Sequence, residues 1–415
     1  MTGSYMAGRG LYFVGQITKK IWFRASLFSV AAVLTALVAA WIAPLIPYQL
    51  SLRVGGKAVD NILTILASSM LAVTTFAVSA SVTAYGSATS AVTPRATQLL
   101  VDDRFTQNAL STFVGTFLFS IVGIISLATG LYGAEGRFVL FFATIVIVAI
   151  IAITLLRWIQ HLSSFGRVQD TIERVETVAR RAMRSWAEAP HLGAQPPIAI
   201  SAAAVHIRTT RIGYIAHIDV AGLSRLADRH DLTIHVVALP GTFVHAERTL
   251  AQVDGAMDDD LYKAIDDAFA VLPNRDFEQD PRFGLIVLSE IASRALSPAV
   301  NDPGTAIRVL GAGHRVLADL VDIEIGSNAA CHRRVHAPAL DVADLFDDFF
   351  RPIARDGAAL IEVQLRLQAT LAGLAEHAPQ SFGTTARRHA EAAIVRASEA
   401  MGFDGDITVL RAESL

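Results

Sequence analysis

Four runs of this chain carry no charged residue and are long enough to cross a bilayer. They are "ASLFSVAAVLTALVAAWIAPLI" (Ala25–Ile46), "ILTILASSMLAVTTFAVSASVTA" (Ile62–Ala84), "ALSTFVGTFLFSIVGIISLATGLY" (Ala109–Tyr132) and "FVLFFATIVIVAIIAITLL" (Phe138–Leu156). A helix of roughly 20 apolar residues spans the hydrocarbon core, so each run predicts one transmembrane helix. Composition agrees, because 53% hydrophobic residues, 18% charged residues and a mean hydropathy of +0.44 are too apolar for an ordinary soluble protein of 415 residues. The first run is longer than a signal peptide's apolar region and lacks a small-residue cleavage pattern, so it reads as an anchor.

Charge divides the chain. Residues 1–160 hold ten Lys/Arg against four Asp/Glu, a net of +6, while the remainder holds 25 against 34, a net of −9. Basic residues flank cytoplasmic membrane ends. Arg9, Lys19, Lys20 and Arg24 precede the first span, and Arg157 and Arg167 follow the fourth. The expectation is a polytopic inner-membrane protein with both termini and residues 157–415 in the cytoplasm. Trp22, Trp41 and Trp158 fall near expected interfaces. An acidic second part offers no basic stripe for phosphates, so nucleic acid is not expected as a partner. The single cysteine, Cys331, cannot form an intrachain disulfide.

The second span differs from the others. Ser68, Thr75, Ser79, Gly86 and Ser90 recur at intervals of four or seven, which places them on one helical face. Such a face permits close helix packing, or it lines a narrow aqueous path that is polar without being charged. Proton-coupled transporters carry ionisable residues inside their spans. These spans have none, which points to passive passage.

Domain organisation follows from the periods. Residues 1–160 read as a four-helix transmembrane domain, and 161–200 as an amphipathic helix and linker. The fourth span reads as continuous with "RWIQHLSSFGRVQDTIERVETVARRAMRSW" up to Trp186, with His161 at the mouth, and "EAPHLGAQPPIA" is Pro-rich linker. Residues 201–255 form a β-rich stretch: "RIGYIAHIDV" and "LTIHVVAL" flank a helical "AGLSRLADRH", and "PGTFVHAERTL" opens on a Pro-Gly turn. A "GYI" strand answered by "PGTFV…TL" resembles the small β-sandwich of biotinyl and lipoyl carrier domains, without the carrier lysine. Residues 256–415 read as helical over Asp259–Val271, Arg282–Leu296, Pro303–Val321, Val342–His377 and Thr385–Met401, with "DDD" (Asp258–Asp260) at a helix start. The fold class expected is a four-span α-helical membrane protein with an α+β cytoplasmic domain containing a small β-sandwich-like element.

The most motif-like run is "LSPAVNDPGTAI" (Leu296–Ile307). Asp302 and Pro303 read as the N-cap and first residue of a helix, an arrangement that stops one helix and starts another. Glu290 and Arg294 stand at i,i+4 on the preceding helix. A second reading gathers Asp280, Arg282, Glu290, Arg294, Asn301 and Asp302 into a polar pocket for a cation or small ligand. No G-x-G-x-x-G, P-loop or H-E-x-x-H occurs, and "CHRRVH" (Cys331–His336) matches no standard zinc spacing. No catalytic residue, metal or cofactor is assigned.

Four amino-terminal spans, a Ser/Thr-rich second span running into "TPRATQLL", then "QDPRFG" and "RALSPAVNDPGTA", resemble the bacterial membrane proteins grouped as domain of unknown function 2254, from about Ile21 to beyond Leu320. The resemblance implies a membrane location and a bacterial origin, and it carries no site residues. The function expected is a homo-oligomeric passive pore lined by the second span, with a cytoplasmic assembly or gating domain. The alternative is a membrane-anchored sensor or scaffold that binds a ligand or partner. The expected partners are the bilayer, further copies of the chain and a small ion or ligand.

Overall fold

A computed structural model describes residues 26–27, 29–30, 34, 38, 56–101, 103–129, 134–164, 166–323 and 332–414. The chain divides into two units. One takes in Phe13–Ala91 and Thr97–Asp170, the other Val92–Ala96 and Thr171–Leu415.

In the first unit, α1 (Gly56–Ala91), α3 (Arg104–Ala128) and α4 (Ala134–Ser164) contain stretches long and apolar enough to cross a membrane: Ala58–Gly86, Phe105–Ala128 and Arg137–Leu162. The first expected span, Ala25–Ile46, lies mostly outside the described residues. α1 packs on α3, and α4 packs on both. Val59, Leu63, Phe119 and Leu140 form one apolar cluster, and Leu66, Met70, Phe113 and Trp158 belong to another. Trp158 is buried, with Phe76 and Phe113 edge-on at 6.3 and 6.4 Å. Several buried hydroxyls are satisfied within their own helices. Ser111, Ser120 and Thr144 each donate to the carbonyl four residues back, at 2.6, 2.9 and 2.7 Å.

The expected continuous helix from the fourth span to Trp186 is two helices. α4 stops at Ser164 and α5 (Val168–Glu188) starts after Gly166, whose φ of +78° is left-handed. A glycine adopts that conformation at little steric cost, and it ends the helical hydrogen-bond ladder there. α2 (Pro94–Val101), which contributes residues to both units, opens with proline at its first position. The Thr93 hydroxyl accepts from the Ala96 N–H at 3.3 Å, which accounts for "TPRATQ" as a capped helix start.

The second unit is α+β. Its strands are β1 (Ala194–Gln195), β2 (Val205–Arg208), β3 (Gly213–Ile218), β4 (Thr233–Val236), β5 (Phe243–Val244), β6 (Thr249–Asp254), β7 (Phe269–Leu272) and β8 (His332–His336). They form a five-stranded sheet in the order β1-β8-β4-β6-β2 and a three-stranded sheet β5-β3-β7. The expected "GYI" to "FV" pairing is present, as Tyr214 opposite Phe243. The "TL" half joins the other sheet, so the element is not one hairpin-closed sandwich within 201–255. Both sheets share a core with α6 (Val220–His230) and α7 (Asp259–Asp267), built from residues such as Ile215, Leu223, Ile234, Val253 and Phe269.

Two segments expected to be helical are corrected. The helix expected to run to Val271 ends at Asp267, and "FAVL" becomes β7 because β3 offers it an antiparallel partner, Ile218 opposite Phe269. Val342–His377 is two helices, α10 (Val342–Asp356) and α11 (Ile361–His377). The remaining helices are α8 (Pro281–Ala295), α9 (Pro303–Asp322), α12 (Gly383–Ala400) and α13 (Asp404–Ala412). Phe346, Phe349, Phe350 and Phe382 fill their core. α5 is tied to α9 by ion pairs: Arg315 grips Glu176 through two bonds of 2.6 and 2.7 Å, and Arg180 and Arg184 both fork onto Asp319.

Candidate functional site

Two regions hold the residues singled out by sequence. The first is α1. At 100° per residue, Ser68, Thr75, Ser79 and Gly86 fall within about 20° of one line along the helix, and all four are exposed. The Ser90 side chain lies outside the described residues. Val59, Leu63, Leu66, Met70 and Ala77, which are buried, lie on the opposite side. Among the described residues, the seam that α1 uses is therefore not the small-residue stripe. The stripe is also longer than the sequence reading placed it, because Asn61 and Thr64 continue it toward the helix start and are exposed; Thr83 is exposed beside it. Its hydroxyl protons are directed inward: Thr64, Ser68, Thr75 and Thr83 donate to the carbonyls of Asp60, Thr64, Leu71 and Ser79 at 2.9–3.0 Å. Their oxygen lone pairs remain to accept from outside.

The second region is built around "EQDPRFG" at the amino end of α8. Asp280 caps that helix, accepting from the Arg282 and Phe283 N–H groups at 3.1 and 3.2 Å. Asp280 is 1% exposed, so its charge needs a partner. Arg275 supplies it through a fork of 2.7 and 2.9 Å. The "PG" turn packs directly on this pair. Gly241 sits at φ +87°, and an added Cβ there would lie 2.3 Å from Asp280 Oδ2. Arg282 reaches Asp348 at 2.7 Å and also pairs with Asp344 on α10. Glu290 lies further along α8 and pairs with Arg95, from the Val92–Ala96 segment. Burial pushes its carboxyl above the usual range against the pull of Arg95.

The expected six-residue pocket is distributed along two helices. Asp280 and Arg282 stand at the start of α8, Glu290 midway and Arg294 in its last turn. Asn301 and Asp302 belong to the joint, where Asn301 holds φ +49° and Asp302 accepts from the Thr305 N–H at 3.1 Å and the Thr305 hydroxyl at 2.6 Å. The Asp302 N–H in turn donates to the Ala295 carbonyl at 2.8 Å, which folds the joint back onto α8. Two cavities flank the start of α8. One, of about 300 Å³, has Arg275, Arg282, Asp341 and Asp344 in its wall. The other, of about 280 Å³, has His217, Asp219, Glu278, Gln279 and His332. Trp186 lines both. Reading by sequence missed Arg275, Trp186, His217 and His332. Glu278 and Gln279 were not singled out either, although they adjoin "DPRFG". For "CHRRVH", Cys331 lies outside the described residues and the rest is β8. His336 Nδ1 lies 2.7 Å from the Pro196 carbonyl, and its ring stacks on His235 at 5.3 Å.

In the first unit, His161 Nε2 lies 2.9 Å from Asp103, the N-cap of α3, which also accepts from the Thr106 N–H at 2.8 Å. The Asp103 pairing spans 58 residues and had no signal in local sequence.

Long apolar helices joined to an α+β unit define a helical membrane protein with a substantial non-spanning part. The chain belongs to the family described as Predicted membrane protein (DUF2254), which matches residues 18–373. An uncharacterized protein of Mycobacterium bovis is 34% identical over 122 residues, 28% of this chain and 23% of the relative. An uncharacterized protein of Mycobacterium tuberculosis H37Rv matches with the same identity and coverage. The matched stretch spans under a quarter of those relatives' length. No solved structure matches the chain.

Proposed function

We propose that this protein is the subunit of a homo-oligomeric, passive pore in the bacterial inner membrane, lined by α1, with the α+β unit in the cytoplasm as its assembly or gating part. One observation carries the reading: the uncharged polar stripe from Asn61 to Gly86 faces away from the seam that α1 buries against its neighbours. A polar face turned to lipid gains nothing, whereas further copies of the chain would enclose it around water. The reading assigns no catalysis. The cavities that flank the start of α8 in the α+β unit favour the alternative, a membrane-anchored ligand-binding module.

The test uses the purified full chain and its Ser79→Asp and Ser79→Leu variants, with particle size in detergent and ion flux from liposomes as readouts. Expected are a symmetric oligomer, flux from the wild type, a block by leucine, and an intact, more cation-selective oligomer with aspartate. A monomeric wild type, or an aspartate variant whose oligomer collapses without flux, overturns the pore. In the latter case the stripe is a dry packing seam in which an unpaired charge costs about 2.5–3.5 kcal/mol.

A further inference from the structure

The cavity of about 300 Å³ beside the start of α8 lies wholly within the α+β unit. Its wall draws on the Pro-Gly turn before β5, the loop before α8, the first residues of α8 and the segment that leads into α10. Trp186 joins them from the end of α5. The volume stands at the lower end of small-molecule sites, roughly 300–1,000 Å³. Pro240, Pro281 and Pro338 each fix a φ angle in a different part of the wall, so little of it has to be ordered by a ligand.

Both signs of charge stand on this wall, on different elements. Arg275 and Arg282 belong to the segment that runs into α8, and Asp341 and Asp344 to the start of α10. The two guanidiniums are held in place. Arg275 forks onto Asp280 through Nε and Nη2, and its guanidinium lies 5.5 Å over the Phe283 ring. Arg282 donates from Nε to Asp348 at 2.7 Å and from Nη1 to Asp344. These bonds use part of each fork. Among the described residues, Arg275 Nη1 and Arg282 Nη2 have no partner and keep N–H groups to donate. The carboxylates keep oxygens to accept. Asp341 Oδ1 caps α10, taking the Ala343 N–H at 2.8 Å, which leaves Oδ2; Asp344 meets Arg282 through Oδ2, which leaves Oδ1. Trp186, Leu239 and Leu340 add apolar surface.

We propose that this cavity binds a free amino acid with an apolar side chain, its carboxylate on Arg275 and Arg282, its ammonium on Asp341 and Asp344, and its side chain against Trp186 and Leu340. A ligand with one charge is opposed by half of the wall: a simple anion faces two aspartates, and a simple amine faces two arginines. A zwitterion meets both pairs and brings no net charge. Planar guanidinium N–H groups suit a carboxylate in particular, because they donate in its plane. The inference stands independently of the pore.

The full chain in a non-ionic detergent is titrated calorimetrically at pH 7.5 with L-leucine and with L-phenylalanine. Each is accompanied by two analogues, the amine that lacks its carboxylate and the acid that lacks its ammonium. At least one of the amino acids is expected to bind saturably at one site per chain, about tenfold or more tightly than either of its analogues, as the loss of a charge-assisted hydrogen bond implies. Asp341→Asn keeps the capping oxygen and is expected to weaken that binding by about tenfold with melting unchanged. Arg282→Lys keeps a cation beside Asp344 and Asp348 without the fork, and the same loss is expected; if lysine lowers melting, Asp341→Asn decides alone. Trp186 lines both cavities, so these two positions locate the site and the tryptophan does not. Absence of saturable binding by both amino acids overturns the inference. So does binding that either analogue equals, or that Asp341→Asn leaves unchanged.

Discussion

Asp302 shows what one side chain does at a joint. Its carboxylate accepts from the Thr305 N–H and hydroxyl, while its own N–H reaches back to Ala295. These bonds are those of an N-cap, and asparagine can make the main one equally well. Asp302→Asn is therefore expected to leave thermal melting unchanged. Asp302→Ala is expected to lower stability by about 0.5–2 kcal/mol, the usual cost of a lost cap. If Asn instead abolishes function with melting intact, the carboxylate binds a ligand. Asp280 caps α8 in the same manner but is buried with Arg275. Two Asp-Pro pairs with one local role thus have different surroundings, and the difference lies in burial and in Arg275, five residues before Asp280.

Between elements, the final glycine of "DPRFG" has a packing role. α8 crosses α5 so closely at Gly284 that an added Cβ would lie 2.3 Å from the Ala179 Cβ. Helices that meet this tightly cannot absorb a branched side chain without separating. Gly284→Val is expected to cost about 1–3 kcal/mol, or more if the helices cannot shift, and the loss should be read as a lower melting temperature in detergent. Melting that matches the wild type would mean that this crossing is not tight. The helix existed in the sequence as an amphipathic period with a capped start. Its neighbour did not, because Ala179 lies 105 residues earlier and carries no local mark of contact.

Over the whole molecule, acidification acts through histidines held neutral by burial. His217, His314, His332 and His389 all lie below their ordinary value of 6.5, with desolvation the largest cause in each. Below pH 6.5 the unfolded chain takes up protons that the folded chain does not. Their contribution is therefore complete above that value and is lost as pH falls through the folded pKa values. Glu290, raised by burial, acts oppositely: it favours folding at lower pH and loses that advantage as pH rises through its own range. The melting temperature is expected to fall between pH 7.5 and 5.5, and His314→Gln should flatten that fall. A melting temperature that stays level or rises on acidification would show that these rings protonate in place.

Helix location, cap residues and the existence of apolar spans could be read without a structure, since each depends on residues within a turn or two along the chain. The stripe on α1 was legible for the same reason: helical geometry places Ser68, Thr75, Ser79 and Gly86 on a line whatever surrounds them. Whether that line faces a neighbour was decided only by tertiary packing, which buried the opposite side against α3. Strands β7 and β8 were likewise invisible, because a short apolar or alternating run becomes a strand only when a distant edge completes its hydrogen bonds. The histidine- and carboxylate-lined cavity is the extreme case. Its wall draws on five elements between Ala182 and His332, brought together by burial of the two-sheet core and not by any spacing along the chain.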